Sequence, residues 1–144
     1  YEDIIAVRVK KIFPDPVWKR RYKHVLDFEA MLAEEGTVII KLFLNISKAE
    51  QKKRLESRLQ DPDKLWKFCM DDLDDRNRWD EFQTAYQDLI EKTSTPEAPW
   101  YIIPADRKWY RNLVVARLMV EKLRHLQLSL PTPNFDPASI IIPD

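Results

Sequence analysis

Glycine is almost absent: Gly36 is the only one in 144 residues, where an average protein carries about 7%. Turns that need positive φ are therefore rare, and a glycine-rich loop that wraps a phosphate cannot be built from this chain. Cysteine is nearly absent too. A lone Cys69 excludes an intrachain disulfide and a cysteine-only metal site, and His24 and His125 lie far from it in sequence. Net charge is also missing, because Lys+Arg and Asp+Glu each number 24. The overall field therefore points neither to nucleic acid nor to an anionic membrane. No apolar run approaches the ~18 residues of a membrane helix, and no signal-peptide pattern opens the chain. The expectation is a soluble, cytoplasmic protein, one domain or part of one. It should hold no metal ligands of its own and have no nucleic-acid or membrane partner.

Hydrophobic residues make up 44% of the chain, enough for a core. Ile4 to Val9 (IIAVRV) is short and β-branched and predicts a strand. From Asp15 to Gly36, Trp18, Tyr22, Val25, Phe28 and Leu32 recur at helical spacing, with Gly36 as the C-cap. Thr37 to Ile46 is nearly continuous in apolar character and predicts a strand buried on both faces, with Lys41 the exception. Ser47 and Glu50 form the capping pattern S-x-x-E. The helix they open carries Leu55 and Leu59 on one face and Arg54 and Arg58 on another, and Asp61-Pro62 ends it. Trp79, Phe82, Tyr86 and Leu89 mark a further helix. Trp100 to Ala105 predicts a strand, and Asp106 an N-cap. The last helix places Leu113, Ala116, Val120 and Leu123 on one face, while Trp100, Trp109 and Tyr110 are expected in the core. Residues 131–144 form a proline-rich tail that should lie extended on this chain or a neighbour. Strands alternating with helices predict an α/β fold with a parallel sheet. Three strands make it narrow, so the chain reads as the second half of a larger domain.

Charge is patterned even though it sums to zero. Between Lys52 and Lys67 stand six basic residues (Lys52, Lys53, Arg54, Arg58, Lys64, Lys67) against three acidic ones (Glu56, Asp61, Asp63). From Phe68 to Glu81 the balance inverts, with Arg76 and Arg78 against six carboxylates. Two readings stand: solvated helices laced by salt bridges, or a lid whose arginines close over phosphates, as in nucleoside monophosphate kinases.

The stretches YEDIIAVRV, ISKAEQKKRLESRL, DPDKLWKF, RWDEFQTAYQDLIEKTST and APWYIIPADRKWYRN, in this order, resemble the carboxy-terminal half of the polyphosphate kinase type 2 family. The similarity spans Tyr1 to about Leu130 and lies nearest the branch that accepts AMP as well as ADP. The resemblance implies a P-loop kinase-like parallel sheet with a helical lid over about residues 54–92. It also implies phosphoryl transfer between polyphosphate and nucleoside mono- or diphosphates, with Mg²⁺, in a homo-oligomer. Carried over by motif, Arg54 and Arg58 would be catalytic lid residues. Lys64, Lys67, Arg76, Arg78, Lys108 and Arg111 would bind polyphosphate or nucleotide, with Asp72 and Asp106 nearby and Trp66 supporting the lid loop. Cys69-Met70 departs from the small polar residue and proline that usually follow WKF in the family.

The glycine-rich loop and the carboxylates for Mg²⁺ would lie upstream of Tyr1. The chain is therefore expected to be inactive alone and to need the upstream half of the same enzyme. The alternative is a non-catalytic polyanion-binding or assembly module.

Overall fold

The computed structural model describes residues 1–143. Seven α-helices and two strands follow in the order α1 (Glu2–Lys10), α2 (Asp15–Lys19), α3 (Arg21–Glu34), β1 (Lys41–Asn45), α4 (Lys48–Gln60), α5 (Asp71–Asn77), α6 (Trp79–Thr93), β2 (Trp100–Pro104) and α7 (Lys108–His125). Six-residue and three-residue 3-10 segments stand at Pro62–Lys67 and Pro137–Ser139.

The expected first strand is a helix. Val and Ile disfavour a helix by less than about 1 kcal/mol per residue, and burial outweighs that here. Ile4, Ile5, Val7 and Val9 all enter the core, against Trp18, Tyr22, Ala85 and Leu89. Glu2 and Asp3 at the start and Arg8 and Lys10 at the end complement the helix dipole. Arg8 also pairs with Asp88 of α6 at 2.5 Å, and this hydrogen bond holds the Asp88 carboxyl below the usual carboxylate range. The core is thus largely helical, with α1 and α3 packed on α6.

The sheet consequently has two parallel strands among the described residues, not three, in register from Lys41 opposite Trp100 to Asn45 opposite Pro104. Residues 37–40 run unpaired because β2 begins only at Trp100. The burial on both faces expected of β1 is not met: Leu44 is 45% exposed, as is Ile102 of β2 at 58%, since no further described strand or helix covers them. The helix expected from Asp15 is interrupted at Arg20, and the helix after the acidic stretch is interrupted at Arg78. Gly36 takes φ +84°, and Thr37 N–H and Gly36 N–H donate to the carbonyls of Leu32 and Ala33, closing α3 in a Schellman motif.

Lys41 is the buried charge of the fold. Its ammonium donates to Glu29 at 2.7 Å and to the Thr93 carbonyl, and lies 5.4 Å from the Trp100 ring centre. The side chains of Lys41 and Glu29 are 3% and 6% exposed. Tyr1 donates its hydroxyl to Glu29, and Trp100 donates its indole N–H to Thr93 Oγ1. Removing one charge strands the other. Lys41→Ala should therefore cost about 3–5 kcal/mol in urea denaturation, whereas Glu29→Leu/Lys41→Met should lose far less than the sum of its single variants.

Candidate functional site

The carboxyl ends of the two strands lie side by side, Asn45 opposite Pro104. The strand pairing continues one step, with Ala105 N–H donating to the Asn45 carbonyl at 2.8 Å. Ser47 caps α4, its hydroxyl accepting the Glu50 N–H at 3.1 Å. The reciprocal half of the capping box is replaced. Ser47 N–H donates to Asp106 Oδ1 at 2.7 Å, while the Glu50 carboxylate accepts from Arg54. Asp106 is therefore not the N-cap of α7, as expected, but a tie between the two strand ends. The bond from Ser47 holds its carboxyl below the usual range. The N-cap of α7 is Arg107, which makes no side-chain cap bond, and the first turn of α7 holds no acidic residue. An uncapped, positive helix start flanked by Arg107, Lys108 and Arg111 thus faces the same end of the sheet. Arg111 is hydrogen-bonded to the neighbouring Asn112.

Arg54 and Arg58 lie one turn apart on α4 but are held differently. Arg54 donates to the carbonyls of Ala105 at 2.7 Å and Asp106 at 3.2 Å, and its Nε to Glu50 at 2.7 Å. Arg58 reaches the other way, to the Lys67 carbonyl at 3.3 Å and Asp72 at 3.4 Å. Beyond α4, Asp61 accepts Asp63 N–H and turns the chain into the 3-10 segment. Lys64 pairs with Asp61, holding that carboxyl below the usual range, and Lys67 lies 4.9 Å over the Trp66 ring. Trp66, expected to support the loop, does so only locally: it is 78% exposed, and its indole N–H donates to the Asp63 carbonyl. Three-residue spacing within a 3-10 turn explains this local closure. Arg76 joins α5 to α4 through the Lys48 carbonyl and Gln51, and Arg78 pairs with Glu81.

A cleft of about 300 Å³ sits between β1, α4, α5 and α6, lined by Phe43, Asn45, Gln51, Asp72, Asp75 and Trp79 among others. None of the six basic residues named as binding residues lines it. They form the rim and the arm outside it. Asp72 and Asp75 pair with Arg58 at 3.4 Å and Lys10 at 2.9 Å and are joined by no third ligand among the described residues, so they do not make a Mg²⁺ site by themselves. No group of three or more His, Cys, Asp or Glu is gathered for a metal among the described residues. No described helix is long and apolar enough to cross a membrane. Sequence reasoning missed the Ser47–Asp106 tie, whose partners are 59 residues apart; its only trace was a carboxylate directly after a predicted strand. It also expected Trp109 and Tyr110 in the core, yet they are 63% and 41% exposed.

These features define an α/β protein with a cleft at the carboxyl end of β1 and basic side chains outside it, at the end of the sheet where open α/β folds take ligands. The family model for Polyphosphate kinase 2 (PPK2) matches residues 1–130, and the chain belongs to that family. It is 51% identical over 142 residues to an AMP/ADP-polyphosphate phosphotransferase of Meiothermus ruber, covering 99% of this chain and 53% of the relative. A protein of Leptolyngbya boryana, described as "Uncharacterized protein in chlN 3'region", is 47% identical over 81% of this chain and 85% of its own length. The crystal structure of Polyphosphate Kinase 2 from Arthrobacter aurescens TC1 superposes with a TM-score of 0.90 at 47% identity, over 96% of this chain and 49% of that one. The chain thus spans about half the length of the Meiothermus and Arthrobacter relatives.

The strand-end tie titrates with a defined sign. Because the folded-state pKa of Asp106 is lowered, its stabilising contribution is complete above the unfolded carboxyl value of about 3.9 and is lost as pH falls through the folded value. Urea midpoints of the native chain and of Asp106→Asn should therefore differ at pH 7 and converge below about pH 4.

Proposed function

We propose that this chain is the carboxy-terminal, lid-bearing half of a P-loop kinase-like polyphosphate:nucleotide phosphotransferase, with AMP and ADP as acceptors. The observation that carries the reading is α4. It starts at the joined strand ends and continues outward into a basic arm of Arg58, Lys64 and Lys67, within a family whose relatives are named as AMP/ADP- and ADP-polyphosphate phosphotransferases. A glycine-rich loop and the Mg²⁺ ligands would come from the complementary half. Mg²⁺ would neutralise developing phosphate charge there, since the carboxylates at this cleft are already paired. The working enzyme would be cytoplasmic.

Within this half, the two arginines take different roles. The tight bonds of Arg54 to Ala105 and Asp106 make it a positioning residue that fixes α4 to the sheet. The long contacts of Arg58 are easily exchanged, and a phosphate oxygen would give shorter, charge-assisted bonds. Arg58 would therefore swing to the phosphoryl group while α4 stays in place. Lys67, resting on an exposed indole, and Lys64 would follow the polyanion. Lys108 and Arg111, at the start of α7, would meet the nucleotide phosphates, and Arg76 and Arg78 would brace the second arm of the lid.

The test is reconstitution. The chain alone should make no ATP from polyphosphate and ADP with Mg²⁺, and adding the complementary half should restore turnover. If the mixture stays inactive while polyphosphate still binds, the non-catalytic module is the correct reading. In the restored enzyme, Arg58→Ala should lower kcat by about 10²–10³-fold with an unchanged melting temperature. Arg54→Ala should lower stability as well, by about 1–3 kcal/mol, because it leaves strand-end carbonyls unpaired. Lys67→Ala should weaken polyphosphate binding in a way that fades at high salt; a salt-independent loss would count against a polyanion contact.

A further inference from the structure

The cleft beside β1 is lined by aromatic rings, amides and carboxylates but by no cation. On α6, Phe82, Gln83 and Tyr86 follow Trp79 by helical spacings, so all four share one face. On β1, Phe43 and Asn45 alternate onto a common side. The Phe43 ring packs on Tyr86 with centres 4.9 Å apart, and Tyr86 lies 6.5 Å from Phe82. These three rings make one apolar wall. Trp79 is different. It pairs with no described ring, and no cation lies over it. Its indole N–H and the side-chain amides of Asn45 and Gln83 make no hydrogen bond among the described residues. Gln51, by contrast, is committed, since its side-chain oxygen accepts from Arg76 at 2.9 Å.

We propose that Trp79 and Gln83 are the specificity-determining residues for the acceptor, Trp79 stacking on its base and Gln83 selecting adenine; this rests on the phosphotransfer reading above. A phosphate meets no cation inside the cleft, and Asp72 and Asp75 would repel it. A neutral heteroaromatic ring suits the cleft instead. The uncommitted indole offers a stacking face, and the free amides offer donors and acceptors to the edge of the ring. A volume of about 300 Å³ lies at the lower end of small-molecule sites, enough for the base and sugar with the phosphates left outside. Asp72 marks their exit, because it lines the cleft and also accepts from Arg58 at 3.4 Å. Phosphates leaving on that side reach the arginine assigned to the phosphoryl group. Gln83 stands one helical turn beyond Trp79, so its amide reaches the edge of a base stacked on the indole. A glutamine amide donates and accepts at once, which matches the N6 and N7 edge of adenine; guanine presents two acceptors on the same edge.

The test is calorimetric titration of the full chain with AMP, adenosine, GMP and ribose 5-phosphate. AMP and adenosine should both bind, with Kd at or below about 1 mM, and ribose 5-phosphate should bind at least about tenfold more weakly than AMP. Trp79→Leu should weaken AMP binding at least about tenfold, whereas Trp79→Phe should keep most of it. Gln83→Leu should reduce the preference for AMP over GMP about fivefold or more, and Gln83→Lys should invert it, because a cation donates to both acceptors of guanine. Thermal melts show whether each variant stays folded. Should Trp79→Leu melt early, the AMP-to-GMP ratio at Gln83 decides, since partial unfolding lowers both nucleotides alike. A chain that binds no AMP, one that binds ribose 5-phosphate as well as AMP, or a ratio unmoved at Gln83 overturns the proposal. Binding that follows this pattern while the reconstituted mixture stays inactive would keep the site and reject the phosphotransfer reading. Restored turnover with none of these dependences would do the reverse.

Discussion

A single ammonium group organises the sheet. Lys41 sits at the amino end of β1 with only 3% of its side chain exposed, and a buried cation is tolerated only where its partners are complete. Those partners come from everywhere around it: Glu29 from α3, the Thr93 carbonyl from the end of α6, and the face of Trp100 from the start of β2. Tyr1 completes Glu29 from the chain's first residue. A two-stranded parallel sheet has little of its own to fix its register. Here a slip by one residue would pull the lysine from its carboxylate and leave two unpaired charges inside. The register Lys41 to Trp100 is therefore set by electrostatics at one end rather than by hydrogen bonds along the strands.

Fixing that end has a consequence at the other. The strands run only five residues, so their carboxyl ends are held at a defined distance from the buried pair. The groups gathered there are polar and exposed. Ser47 and Asp106 bind the two exits together, and Arg54 adds two carbonyl contacts. Along α4 the bonds then lengthen, from 2.7 Å at Arg54 to 3.3–3.4 Å at Arg58. The contacts of α4 are thus shortest where it meets the sheet and longest where it meets the arm.

The sequence was most readable where one residue type dictates one geometry. Gly36 ends α3 because the C-cap needs positive φ, and Ser47 with Glu50 announced the start of α4. Both strands were placed by their apolar runs, and their ends were trimmed only by where the partner begins. The first helix was misread because its β-branched run carries a strand propensity weaker than the packing that overrides it. Its acidic start and basic end were visible but are minor energies beside core burial. The Glu29–Lys41 pair was half visible, as one charge out of place in an apolar strand, but its partner lay twelve residues away on a different element. Trp109 and Tyr110 were expected inside because aromatics flanking a strand and a helix usually are. Composition says what can be covered; it does not say whether the covering surface belongs to the same fold.

That last distinction bears on the order in which this architecture holds together. The described core joins Ile4, Ile5, Val7 and Val9 to Trp18, Tyr22, Ala85 and Leu89, all of them helical. The sheet is attached to this body through Lys41 and Trp100 and contributes little burial of its own. The amino-end helices can therefore cohere while the strand edges, the cleft and the outer side of α7 stay open. In that setting, cations of the arm settle on the nearest carboxylate: Lys64 on Asp61, Arg58 on Asp72, Arg78 on Glu81. Each such pair is exposed to solvent and correspondingly weak. The pairs keep the arm ordered, yet each is weak enough to be exchanged for another partner. Weak pairing in the arm and strong pairing beneath the sheet are thus complementary requirements, one for exchange and the other for register.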